Sequence, residues 1–146
     1  MRRPFLLSAA LLLPEIACRP TPRARLDAAL AHYAALSAAM AHDSVAALFT
    51  DDGELAGGGP APLVGPAAIA AFLHTFSGYH VLHDELVADS SRIASDTAWQ
   101  EGTYRQRVVV PAGDTVEVSG RFRITWRDLP KGGWKIRRME TYRPTP

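Results

Sequence analysis

From Val116 to Arg127 apolar and polar positions alternate without a break. Val116, Val118, Gly120, Phe122, Ile124 and Trp126 fall on one side, and Glu117, Ser119, Arg121, Arg123, Thr125 and Arg127 on the other. A period of two is the mark of a strand with one buried and one solvated face. Asp128 to Gly133 supplies turn residues, and Trp134-Lys-Ile136 begins a returning strand, so the pair reads as a hairpin. Upstream, Ala98 to Val110 predicts another long strand, ended by Pro111-Ala-Gly-Asp114. If Val116 to Trp126 face inward, the matching set on that strand is Ala98, Gln100, Gly102, Tyr104, Gln106 and Val108. From Tyr79 a further strand places His80, Leu82, Asp84 and Leu86 on one face, with a break near Asp89-Ser-Ser91 before Arg92-Ile-Ala94.

The first half is helical in pattern. Thr21 before Pro22 reads as a helix cap followed by a first-turn proline. Leu26, Leu30, Tyr33 and Met40 keep helical spacing among many alanines, which predicts a helix to about Ala41. Asp43 is placed to cap a second, shorter helix ending at Phe49. Thr50-Asp-Asp-Gly53 reads as a turn, Glu54 to Ala56 as a short strand, and Gly57 to Pro62 as a loop. Leu63-Val64 reads as a short strand pairing with the one before it. Gly65-Pro66 then opens a third helix with Ile69, Phe72, Leu73 and Phe76 on one face. Helices, a short hairpin, a helix and a run of antiparallel strands make an α+β plan, with helices against one face of a curved sheet.

The first residues carry a different signal. Met1-Arg-Arg followed by the apolar run Phe5 to Leu13, too short to span a bilayer comfortably, reads as an export signal over residues 1–17. Cys18, the only cysteine, follows an alanine at its end and resembles the lipidated cysteine of bacterial lipoproteins, with Glu15 departing from that family's aliphatic preference. The resemblance implies lipidation at Cys18, a tether over residues 18–22, and a membrane-anchored protein on the periplasmic or extracellular face. An ordinary secretory signal with an incidental cysteine, giving a secreted soluble protein, is the alternative. With one cysteine an intrachain disulfide is impossible.

Composition adds bounds. At 146 residues, with 47% hydrophobic and 21% charged residues, the chain suits one folded domain rather than a disordered one. Net charge is +1, but no Lys or Arg lies between Arg25 and Arg92, whereas eleven basic against six acidic residues occur from Arg92 onward. Without an accompanying nucleic-acid motif, the basic residues read as a solvated strand face and no nucleic-acid partner is expected.

Four phrases in order carry a family resemblance: Asp43-Ser-Val-Ala-Ala-Leu-Phe-Thr-Asp-Asp-Gly53, Gly65-Pro-Ala-Ala-Ile69, Asp96-Thr-Ala-Trp-Gln-Glu-Gly102, and Gly120-Arg-Phe ahead of Trp126 and Gly133-Trp-Lys-Ile136. Over residues 23–143 the chain resembles the nuclear transport factor 2-like superfamily, in its SnoaL-like branch and related domains of unknown function. The resemblance implies a cone-shaped α+β barrel, a curved and mostly antiparallel sheet whose concave face is covered by about three N-terminal helices. It also implies a pocket between them and frequent homodimers. It implies no single activity, because binders, isomerases, cyclases, dehydratases and hydrolases share the fold.

Candidate chemistry follows from the inward faces. Gln100 and Tyr104 are polar groups on an apolar face and must bond to the protein or to a ligand. Gln106 reads equally as structural. Tyr33, Phe122, Trp126 and Tyr142 complete the expected ligand contacts for a small apolar molecule. On the last strand, unbroken alternation from Trp134 turns Arg138, Glu140 and Tyr142 inward, and Glu140 becomes a candidate acid or base. A bulge after Ile136 turns Met139 inward instead. His80 with Asp84 is a second acid/base candidate, and Tyr104 a candidate oxyanion donor. His80 and His83 face opposite ways on a strand, so no metal and no cofactor are expected. The expected function is an exported binding domain with a hydrophobic pocket. A small acid/base enzyme and a dimeric interaction module on the outer sheet face are the alternatives.

Overall fold

A computed structural model describes residues 19–57 and 59–143. The expected signal segment and Cys18 lie outside them. The element order is α1 (Pro22–Ala38), α2 (His42–Ala46), β1 (Phe49–Ala56), β2 (Leu63–Val64), α3 (Pro66–His74), β3 (His80–Ala94), β4 (Thr97–Val109), β5 (Thr115–Leu129) and β6 (Gly133–Tyr142). The strands form one six-stranded sheet in the order β2-β1-β6-β5-β4-β3. All neighbours are antiparallel except β1 and β6, which are parallel. The sheet is curved but does not close, so the expected barrel is an open one.

Thr21 caps α1 as its sequence indicates: the Ala24 amide donates to Oγ1 at 3.1 Å. The helix stops at Ala38, three residues short of the expectation, and Met40 adopts a left-handed φ of 54° that no helix can accommodate. α2 starts at His42 without a side-chain cap, and the Asp43 carboxylate turns to His74 instead. The expected turn at Thr50 to Gly53 is a bulge inside β1. Register jumps there from Phe49 opposite Ile136 to Glu54 opposite Arg138. Gly53 fits the crowded bulge because a Cβ would come within 2.9 Å of the Ile136 carbonyl oxygen.

Register between β4 and β5 is unbroken and matches the alternation: Ala98 opposes Trp126, Gly102 opposes Phe122, Gln106 opposes Val118. α1 packs on β3 and β6, and α2 packs on α3. The core gathers Leu26, Leu30, Phe49, Ile69, Phe122, Ile124, Trp126 and Ile136. A fully buried side chain of this size contributes roughly 1.5–3 kcal/mol.

The outer sheet face is charged and interleaved. Arg123 pairs with Glu101 at 2.7 Å, Arg127 with Asp96 at 2.9 Å, and Arg121 with Asp89 at 2.9 Å. Arg138 pairs with Glu54 and Glu140. The segregation of charge along the chain therefore becomes alternation in space. These pairs lie at the surface, where solvent screens them, so each contributes little to stability.

Candidate functional site

The strands β1, β3, β4, β5 and β6 and the three helices border a cavity of about 370 Å3. Its apolar wall includes Phe72, Leu73, Phe76, Val108, Val118 and Phe122. Three features of the backbone create it. α1 sends Tyr33 and Ser37 into the cavity from its C-terminal half. The left-handed turn at Met40 brings His42 round to the wall. On the sheet, Gly120 leaves space that the Tyr104 ring occupies, and a Cβ there would lie 2.8 Å from Tyr104 Cε1.

Polar groups concentrate beside β3 and β4. Gln106 Nε2 donates to Asp84 Oδ1 at 3.1 Å, while Asp84 Oδ2 is buried without a hydrogen-bond partner. Burial raises the Asp84 pKa, against the lowering effects of the Gln106 amide, the Ser37 hydroxyl and the His83 ring. Burial, and secondarily the Asp84 charge, push the Tyr33 phenol above its ordinary value. Tyr33, Ser37, Tyr104 and Gln106 thus give a mostly apolar cavity one polar wall, with the Asp84 carboxyl behind it, while His42, Tyr79 and Thr141 line it elsewhere.

Several expected site residues lie elsewhere. Gln100 is fully buried at the other end of β4, where its Nε2 reaches Ser91 Oγ at 3.3 Å and Asp27 Oδ1 at 3.4 Å. Trp126 is core, 1% exposed. The alternative left open for β6 resolves as a bulge. Thr125 opposes Arg138 but Trp126 opposes Ile136, so Arg137 is extra. Met139 and Thr141 therefore face the cavity. Glu140 and Tyr142 face outward, Glu140 into the arginine pairs and Tyr142 beneath Arg123, whose guanidinium stands 5.9 Å from the ring. A bulge at Leu82 likewise parts His80 from Asp84: Val81 opposes Val108, His83 opposes Arg107, and His80 is exposed. The expected break at Asp89 is a second bulge within one continuous strand.

Tyr33, Tyr104 and Phe122 line the cavity, and Asp84 lies behind its lining, bonded to Gln106. Sequence reasoning missed Ser37, His42 and Thr141, and held Met139 as one of two alternatives. Ser37 was legible, because it follows Tyr33 by one helical turn. Among the described residues no group of three or more His, Cys, Asp or Glu is arranged to hold a metal ion, and no helix is long and apolar enough to cross a membrane.

Residues 21–140 match the family model of the SnoaL-like domain. No curated protein matches the chain. Among solved structures, a ketosteroid isomerase-like protein from Erwinia carotovora atroseptica superposes with a TM-score of 0.74 at 21% identity, covering 84% of this chain and 96% of that one. An NTF2-like protein with a cystatin-like fold from Novosphingobium aromaticivorans gives 0.67 at 25% identity, with 82% and 80% covered. A function-unknown protein from Mycobacterium tuberculosis gives 0.72 at 17% identity, with 84% and 76% covered.

Proposed function

The chain belongs to the SnoaL-like family, and from that premise we propose that it is a small-molecule-binding domain whose ligand is apolar over most of its surface and polar at one edge. One observation carries the reading: a cavity of about 370 Å3 lined mostly by aliphatic and aromatic groups, with Tyr33, Ser37, Tyr104 and Gln106 gathered on one wall. About 150 Å3 suffices for benzene, so the space suits two fused rings or a chain of similar bulk. Tyr33, Tyr104 and Gln106 would hold the polar edge.

Native mass spectrometry of protein purified without detergent tests this. The expected result is a bound mass released on denaturation and absent from Val118→Trp, which fills the cavity. Retention of the mass by Val118→Trp would move the ligand out of the cavity and refute the proposal.

A second reading, catalysis by proton transfer, is favoured by the raised pKa of the Asp84 carboxyl, which bonds to Gln106 of the cavity lining. Export with a lipid anchor at Cys18 is part of the proposal. In the first half of α1, Arg25 and Asp27 bond to Asp128 and Gln100, whereas Tyr33 and Ser37 reach the cavity from the far half of the helix. A short tether would thus hold the packed end toward the membrane, and ligand would enter from the aqueous side. A homodimer through the outer sheet face is supported by its interleaved charges and would weaken with salt.

A further inference from the structure

The helical wall of the cavity contains a chain of titratable groups that the binding reading does not use. His42 lines the cavity. Its Nδ1 stands 3.4 Å from Nδ1 of His74, the two rings meeting edge to face with centroids 5.0 Å apart. On its other side His74 presents Nε2 to Asp43 Oδ1 at 2.9 Å. His42 Nε2 is buried and has no hydrogen-bond partner. The outer end is wet: the Asp43 side chain is 83% exposed and that of His74 52%.

Hydrogen-bond chemistry fixes how protons are distributed along this chain. An ionised carboxylate only accepts, so His74 Nε2 carries a hydrogen. In neutral His74 the Nδ1 is then a lone pair, and His42 must supply the hydrogen between the two rings from its own Nδ1. That leaves Nε2 of His42 as a buried lone pair lacking a donor, which a folded protein rarely tolerates without a purpose. Neighbouring positions on α2 make the arrangement possible. His42 and Asp43 point in different directions from the helix, one to the cavity and one to the surface, and His74 at the end of α3 bridges them.

We propose that His42 is the proton-transfer group of the cavity, with His74 and Asp43 as positioning residues that set its tautomer and connect it to solvent. This rests on the cavity being the ligand site. The ligand class is a small, mostly apolar molecule carrying an acidic hydroxyl or a carbonyl with an acidic neighbouring C–H. Its proton passes to His42 Nε2, the His42 Nδ1 proton passes to His74 Nδ1, and the His74 Nε2 proton leaves to Asp43 and water. One proton enters, one leaves, and both rings end in the opposite tautomer. The ligand stays as the anion, with Tyr33 across the cavity available to donate to it. Asp84, whose carboxyl lies behind the cavity lining at Gln106, opposes the anion when ionised and favours it when protonated.

The test uses the full chain with 4-nitrophenol as the probe, its ionisation read by absorbance, and the histidine tautomers read by 15N NMR. In wild type the bound probe should ionise with roughly a tenfold lower proton affinity than free probe, and His42 should carry its hydrogen on Nδ1. His42→Gln should still bind the probe, weakened about fivefold, but with the ionisation shift abolished. His74→Phe should return His42 to the Nε2–H tautomer and lose most of the shift, and Asp43→Asn should lose part of it. An unchanged ionisation shift in His42→Gln, or an Nε2–H tautomer of His42 in wild type, overturns the proposal. If no form binds the probe, the ligand-site reading fails for this class, and the tautomers of His42 in wild type and His74→Phe still decide the relay.

Discussion

The inward faces of β4 and β5 are continuous, yet their two ends have opposite fates. At one end Ala98, Gln100, Ile124 and Trp126 are buried beneath Leu26 and Leu30 of α1 and leave no room for a ligand. At the other end Tyr104, Gln106, Val108, Val116 and Val118 border a cavity, and Val116 is 39% exposed. Pleat and register are the same at both. What differs is the cover. The N-terminal half of α1 lies directly on the sheet, whereas the second end is roofed by the turn at Met40, α2 and α3, which stand off from it. Alternation therefore decides which way a side chain points, and the cover decides whether it packs or lines a void.

The largest test of that contrast is truncation at each end. Trp126→Ala should cost about 3–5 kcal/mol in urea unfolding. Val118→Ala, at the hollow end, should cost about 1 kcal/mol or less. Equal losses would mean that the two ends do not differ in packing. Gly102→Ala comes next, at about 1–3 kcal/mol, because the added Cβ would stand 1.9 Å from the Val87 carbonyl oxygen and must displace backbone. It lies between the two ends, so its loss should come with perturbed ligand binding as well as reduced stability.

Smaller still is Thr21→Ala, which removes the α1 cap at the packed end. A loss of ~1 kcal/mol is expected, with ligand affinity unchanged. A change in affinity would show that the ends are coupled through the helix. Least in size is a pH effect at the hollow end. The raised pKa of Asp84 means that folding takes up a proton between the ordinary carboxylate value and the raised one. Stability falls as pH rises through that interval, and the penalty is complete above it. Asp84→Asn should accordingly melt higher than wild type at neutral pH, with the gap closing as pH falls to the ordinary carboxylate range. A gap independent of pH would remove the burial argument.

The same contrast explains what could be read from the chain beforehand. Strand faces, the β4–β5 register, the Thr21 cap, the β1–β2 pairing and the family were legible, because each depends on local pattern or short motifs. Gln100 and Gln106 share a face, and nothing local says which lies under α1 and which at the void. Glu140 was left open between two orientations, and His80 was misplaced, for another reason. The extra residues at Arg137 and Leu82 each invert the alternation downstream, and neither carries a glycine or proline to announce it. His42 was hidden because its partner His74 is thirty-two positions away and becomes its neighbour only through the packing of α2 on α3.

Methyl NMR during titration with 2-naphthol measures the difference between the two ends most directly. Shifts confined to the methyl groups lining the cavity, among them Leu73, Leu86, Val108, Val116 and Val118, with Leu26, Ile124 and Ile136 unmoved, are the predicted result. Shifts centred on Val87 of the outer face, or none at saturating probe, would contradict a ligand-binding hollow end.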